Sequence, residues 1–187
     1  SYPRILKGKN FFDDNKRIDV PINLFVSDMN KIPLPSNSID VVISNHAIEP
    51  NFEKEKDLIS EIYRVAKYMV ILFEPSYENA TADGKKRMVK HGYAQEIDTI
   101  VKSYKNDSVE IRPFEMSRYE YNPTYCFSIV KNKSCLQNLN ENITYTFPGT
   151  DLKLKKEKNY YKSENLRVAF PILNNFPILR AEKLIMI

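Results

Sequence analysis

Val26-Ser-Asp28-Met29 and, two residues further on, Ile32-Pro-Leu-Pro-Ser-Asn-Ser-Ile-Asp40-Val-Val-Ile-Ser-Asn45-His46 decide how this chain is read. Residues 22–26 (INLFV) and 39–44 (IDVVIS) are short apolar, β-branched runs bounded by polar and proline-bearing turns, the pattern of strands. Each ends on polar residues: Asp28-Met29 follows the first and Asn45-His46 the second. A third run, 69–73, ends on Glu74-Pro75 and is apolar throughout, as strands buried on both faces are. Between the second and third, residues 53–67 place Leu58, Ile59, Ile62, Tyr63, Val65 and Ala66 on one stripe behind an acidic first turn, which predicts a helix.

The same alternation extends outward. Residues 2–17 have helical spacing (Ile5, Leu6, Lys9, Phe12, Lys16), and a long helix is expected over 78–104, interrupted near Gly84 or Gly92. Residues 109–114 and 124–130 read as strands only nine residues apart. That gap is too short for the helix of a parallel crossover, so the pair is expected to run antiparallel. The fold class is therefore α/β: part of a Rossmann-like sheet, with parallel strands ending in an antiparallel hairpin, plus a small β-rich C-terminal domain. Ligands of open α/β sheets bind beyond the carboxyl ends of the strands, so the three polar strand ends are the expected rim of a pocket.

The composition agrees with a globular chain and removes several function classes. The 187 residues include 28 Lys plus Arg against 24 Asp plus Glu, a net charge of +4. The lysines are spread along the chain rather than striped, and 20 Lys beside 18 Asn is what an AT-rich genome encodes, so nucleic acid is not the expected partner. The densest basic run, 153–158, reads as a solvated strand and turn. Two cysteines make no disulfide framework, no leader is recognised, and no apolar run approaches the roughly 18 residues of a membrane span, so a cytoplasmic protein is expected. The four glycines (Gly8, Gly84, Gly92, Gly149) stand where average usage would give about thirteen. No glycine-rich phosphate or dinucleotide loop can be written from them.

The stretch from Asp28 to Glu74 resembles the middle of class I S-adenosylmethionine-dependent methyltransferases. Their pattern is an acidic residue and an apolar one after the third strand, a segment of the form lPlpdnsfDvVi, a polar or His position after the fourth strand, and a helix ending ElyRVak. Here these are Asp28-Met29, residues 32–43, Asn45-His46 and Glu61-Ile-Tyr-Arg-Val-Ala-Lys67. The resemblance covers residues 1–130 and implies S-adenosylmethionine as cofactor. It implies that Asp28 accepts from the adenine amino group, that Met29 packs on the adenine ring, and that Asn45 and His46 lie beside the methionine and sulfonium end. A carboxylate suits an exocyclic amine and a thioether suits an aromatic face. His46 is the candidate general base, although a sulfonium methyl is already activated and its transfer needs positioning more than proton removal. Tyr77, Glu78, His91, Arg118, Tyr119 and Tyr121 fall in segments that line the acceptor side in this family. The family's glycine-rich loop and ribose-binding strand have no counterpart after Ser1, so the resemblance implies a C-terminal portion holding the adenine side of the pocket, incomplete and inactive alone.

Residues 135–187 resemble the small zinc-ribbon methyltransferase-activator proteins, through Val168-Ala-Phe-Pro-Ile-Leu-Asn-Asn-Phe-Pro-Ile-Leu179. Their four cysteine positions fall on Cys135, Asn138, Ser163 and Leu166, and one thiolate does not hold a tetrahedral zinc, so no metal is expected. The expected organisation is a methyltransferase domain over 1–130, a hinge at 131–134 and a metal-free ribbon-like domain over 135–187. The expected function is methyl transfer to an unspecified acceptor, with a homo-oligomer or a complementing N-terminal segment as partner. A non-catalytic partner or binding module derived from a methyltransferase, and a basic RNA-binding protein, are the two other readings.

Overall fold

The structure is a computed structural model that describes residues 2–14, 22–116, 121–132 and 143–187. In chain order its elements are α1 (Tyr2–Asp14), β1 (Val26–Ser27), β2 (Ile39–Asn45), α2 (Glu55–Val65), β3 (Ala66–Pro75), α3 (Ala82–His91) and α4 (Ile97–Lys102). There follow β4 (Ser108–Pro113), β5 (Thr124–Val130), β6 (Lys155–Lys156), β7 (Tyr160–Ser163), β8 (Val168–Leu173), β9 (Phe176–Leu179) and β10 (Ile185–Met186). They form two compact units, one of Ser1–Pro35 with Asn140–Ile187 and the other of Ser36–Leu139.

The second unit is the expected α/β sheet, in the order β2-β3-β5-β4. β2 and β3 run parallel, while β5 is antiparallel to both of its neighbours, β3 and β4, so the hairpin anticipated from the nine-residue gap forms and its second strand inserts beside β3. Leu58, Ile59, Ile62 and Val65 of α2 and Ile97, Ile100 and Val101 of α4 are buried, and α2 packs on α4. Val70 and Leu72 of β3 and Phe127 and Ile129 of β5 are buried as well. The opposite face is more open than an all-apolar β3 suggested. Val41 and Ile43 of β2 are exposed, and Met69, Ile71 and Phe73 of β3 are half-buried.

The expected helix over 78–104 is two helices. Thr81 caps α3 by accepting from the Gly84 amide at 3.1 Å, and the helix ends where Gly92 turns into the left-handed region at φ 64°. Gly84 does not interrupt the helix. A Cβ there would lie 3.0 Å from the Tyr121 carbonyl oxygen, so its role is close packing. α2 is shorter than the 53–67 expected, because Ala66 leaves the helix at ψ 135° and starts β3. Lys131, the first residue of the expected hinge, is buried: Nζ donates to the carbonyls of Tyr63 (2.5 Å) and Ala66 (2.7 Å) at the end of α2 and sits 3.8 Å from the centre of the Tyr63 ring. A cation at a helix C-terminus meets the negative end of the helix dipole.

The first unit holds a sheet in the order β1-β9-β8-β7-β6, with β10 on β8. The strand expected over 22–26 is confined to β1, and its partner is the tail strand β9, in parallel register with Val26 opposite Ile178 and Ser27 opposite Leu179. β8 and β9 are a hairpin whose two-residue loop, Asn174-Asn175, has φ of 47° and 67°. Two successive positive φ values are what a type I′ hairpin turn requires, and asparagine tolerates them. The duplicated Phe-Pro-Ile-Leu segments are therefore the two arms of one hairpin. Tyr2 of α1 accepts from Asn174 Nδ2 at 2.6 Å and meets Phe176 edge-on, while none of the residues of α1 is buried. Residues 15–17 of the expected first helix, and Cys135 and Asn138, lie outside the described residues; Ser163 is buried in β7 and Leu166 is exposed.

Candidate functional site

Asp28 and Met29 follow β1 directly. The parallel register that sets Ser27 opposite Leu179 brings the next residue of each strand together, and Arg180 Nη2 lies 2.9 Å from Asp28 Oδ1. The same Nη2 reaches Glu182 Oε1 at 2.5 Å, and Arg180 Nε is buried without a partner among the described residues. Such an orphaned donor costs about 1–3 kcal/mol, so the guanidinium is held there by the two carboxylates and its packing. The side chains of Asp28 and Arg180 are both 36% exposed. At that exposure the pair adds little stability, but it fixes the orientation of the carboxylate. Asp28 Oδ2 has no partner among the described residues. Lys31 N donates to the Asp28 carbonyl at 3.2 Å, closing a turn with half-buried Met29 and exposed Asn30 at its tip. The tail also grips the far side of this loop: Thr146 N donates to the Pro33 carbonyl at 3.0 Å and Gly149 N to the Ile32 carbonyl at 3.4 Å.

Asn45 and His46 end β2 in the second unit. His46 has φ 49°, and its amide still donates to the Phe73 carbonyl at 2.9 Å. The loop it begins is organised by Glu74, the last but one residue of β3, whose side chain is fully buried. Glu74 Oε1 accepts from Ser44 Oγ (2.6 Å), Ala47 N (3.0 Å) and Ile48 N (3.2 Å), and Oε2 accepts from Glu49 N (3.1 Å). Four donors converge on one carboxylate, which explains how an acid is accommodated in the core without a basic partner.

The His46 ring lies between two side chains. Nδ1 is 2.6 Å from Glu49 Oε2 and Nε2 is 3.0 Å from Thr124 Oγ1, at the start of β5. A carboxylate only accepts, so Nδ1 carries the proton, and in the neutral ring Nε2 accepts from the threonine hydroxyl. Asn122 Nδ2 donates to the other Glu49 oxygen at 2.8 Å. Both ring nitrogens are thus engaged, and the ring clips the loop after β2 to the start of β5. Asn45 is exposed and makes no side-chain hydrogen bond among the described residues.

Of the residues expected on the acceptor side, Glu78 is paired with Lys102 (2.9 Å) and accepts from Thr99 (3.1 Å). The Lys102 hydrogen bond holds its carboxyl below the usual range. His91 is exposed and stacked on Tyr93, Tyr121 is exposed, and Lys85 lies over the Tyr77 ring. Arg118 and Tyr119 lie outside the described residues. Nearby, Ser76 Oγ donates to buried Asp98 at 2.9 Å and accepts from Asn79 Nδ2 at 2.8 Å; burial pushes the Asp98 carboxyl up. Among the described residues no cluster of three or more His, Cys, Asp and Glu is arranged to hold a metal ion, and no helix is long and apolar enough to cross a membrane.

Asp28 and Met29 thus belong to one unit and Asn45 and His46 to the other. Arg180, Glu49 and Thr124 were not anticipated. The only local signal for Arg180 was a lone cation after the second Phe-Pro-Ile-Leu copy. Glu49 stands three residues after His46, a spacing that offered a weak clue.

Residues 7–73 match a family described as a methyltransferase domain. No curated protein matches. Among solved structures, a SAM-dependent methyltransferase from Archaeoglobus fulgidus is similar at 16% sequence identity, with a TM-score of 0.39. The similarity covers 52% of this chain and 62% of that one.

Proposed function

The chain carries, over residues 7–73, the pattern of a methyltransferase domain, and from that premise we propose that it serves S-adenosylmethionine-dependent methyl transfer, with Asp28 and Met29 forming the adenine side of the cofactor pocket. The observation that carries this reading is the state of Asp28: a half-exposed carboxylate at a strand end, one oxygen fixed by Arg180 and the other without a partner among the described residues. Those residues suit an adenine edge. Oδ2 would accept from the exocyclic amine, and the Met29 thioether beside it would pack on the ring face.

For Asn45 and His46, after β2, the methionine-end role rests on the sequence pattern alone. The cofactor supplies an activated methyl group on a sulfonium, so the chain's own contribution is to bind and orient. His46, with both nitrogens engaged by Glu49 and Thr124, holds its loop to β5 and has no ring nitrogen left to serve as a general base. The acceptor would be a nucleophile that needs placement more than deprotonation.

Calorimetric titration with S-adenosylhomocysteine tests the reading. Weak binding through the adenine side is expected, reduced a further roughly 10- to 100-fold in Asp28→Ala, the equivalent of one hydrogen bond to a charged group. Absence of binding at millimolar ligand, or equal affinity in the variant, would refute the assignment of Asp28.

A further inference from the structure

We infer that Arg180, at the end of the tail strand β9, is a positioning residue for Asp28 and sets the selectivity of this site for adenine over bases without an exocyclic amine. The inference rests on the adenine reading of Asp28 and adds a residue about 150 positions away in the chain.

The backbone makes the juxtaposition. β1 and β9 run parallel with Ser27 opposite Leu179, so each strand delivers its next residue to the same end of the sheet. Asp28 and Arg180 meet there at 2.9 Å through a single guanidinium nitrogen and a single carboxylate oxygen. An aspartate carboxylate otherwise turns freely about its terminal torsion, which has a broad, two-fold profile. With Oδ1 fixed, Oδ2 is left as the acceptor and its direction is set. Glu182 holds the same Nη2 at 2.5 Å, so the arginine is itself held by a carboxylate of the tail. The contacts from Thr146 and Gly149 to the 32–33 backbone fix the remainder of the loop. The tail therefore grips the loop that carries Asp28 and Met29 on both sides.

The consequence is selectivity. A fixed carboxylate oxygen accepts from the adenine amine, whereas hypoxanthine places a carbonyl oxygen at the same position. Two acceptors then face each other, and a site built to bond a donor rejects the analogue that lacks it. A carboxylate free to turn away would accept both bases with similar affinity.

The experiment compares S-adenosylhomocysteine with S-inosylhomocysteine by calorimetry on the full chain, wild type and Arg180→Met, with circular dichroism as a check of folding. Wild type should prefer the adenine ligand at least tenfold. Arg180→Met should reduce that preference to less than about threefold, chiefly through weaker binding of the adenine ligand. A merely structural loss would weaken both ligands together and leave their ratio intact, which would overturn the proposal. So would tighter adenine binding in Arg180→Met, because the arginine would then be a competitor for Asp28. If Arg180→Met does not fold, Arg180→Lys carries the test, since it keeps the charge without the planar fork. Its preference should fall at least threefold, and an unchanged preference would overturn the proposal. Wild-type protein that binds neither ligand, or both equally, would remove the adenine reading itself, and the role of Arg180 with it.

Discussion

Replacing Glu74 by glutamine changes one buried oxygen to an NH2 group and nothing else in shape, so the outcome follows from counting donors. Oε1 receives three hydrogen bonds, from Ser44, Ala47 and Ile48, and Oε2 receives one, from Glu49 N at 3.1 Å. The amide would keep its oxygen towards the three donors and turn its nitrogen towards the Glu49 N–H, since the reverse orientation sacrifices three bonds to save one. Two donors would then face each other in a fully buried site. A hydrogen bond to a charged group contributes about 1.5–3 kcal/mol and an orphaned buried donor costs about 1–3 kcal/mol. The three remaining bonds weaken as the charge is lost, but the removed charge also no longer has to be desolvated. The net expectation for Glu74→Gln is a loss of about 2–4 kcal/mol, and Glu74→Ala, which orphans all four donors and opens a cavity, should lose more.

The chain has 12 Tyr and no Trp, so urea unfolding is best followed by far-ultraviolet circular dichroism, with tyrosine fluorescence as a second probe. Amide hydrogen exchange supplies the local readout. Protection at Ala47, Ile48 and Glu49 should fall in the variant, most at Glu49. A change in stability of less than about 0.5 kcal/mol, the usual range of a surface substitution, together with unchanged protection at Glu49, would refute the view that this carboxylate organises the loop.

Lys131→Met removes the cation that bonds the Tyr63 and Ala66 carbonyls at the end of α2 and should cost about 2 kcal/mol; a loss under about 0.5 kcal/mol in urea unfolding would return residue 131 to the expected polar hinge. Asp98 should give a pH signature of opposite sign to that of a salt-bridged acid. Burial raises its carboxyl above the ordinary 3.8, so the folded state holds the proton more tightly than the unfolded one. Its contribution to stability is then complete below the unfolded value and is lost as pH rises through the raised folded value. Asp98→Asn should therefore gain stability relative to wild type as pH climbs from about 3 to 7, and a constant difference across that range would disprove the assignment.

The elements that were legible in the sequence depended on neighbours close in the chain. The α2 stripe and the nine-residue gap between the expected strands 109–114 and 124–130 were sufficient, because helix period and hairpin geometry are local. The turn at Asn174-Asn175 is local in the same sense: few residues other than glycine accept two positive φ values in succession. Of the strand expected over 22–26 only Val26 is in β1, and its pairing with β9 was not foreseen, because pairing between residues 26 and 178 leaves no mark in either segment. Lys131 looked like the start of a linker because the polar run Lys131-Asn-Lys133 gives no sign that helix carbonyls wait for its first lysine.

Three strand ends looked equivalent in the sequence, each a polar residue after an apolar run, and the structure separates them by unspent hydrogen-bonding capacity. Glu74 has both oxygens occupied by four donors and no exposure, so it builds the loop and has nothing left for a ligand. His46 has spent both nitrogens on Glu49 and Thr124 and holds that loop to β5. Asp28 has one oxygen committed to Arg180 and the other without a partner among the described residues, at 36% exposure. Carboxylates that fold a protein and carboxylates that bind a ligand have the same chemistry. What distinguishes them is whether the fold has already supplied every donor, and of the two carboxylates at these strand ends Asp28 is the one where, among the described residues, it has not.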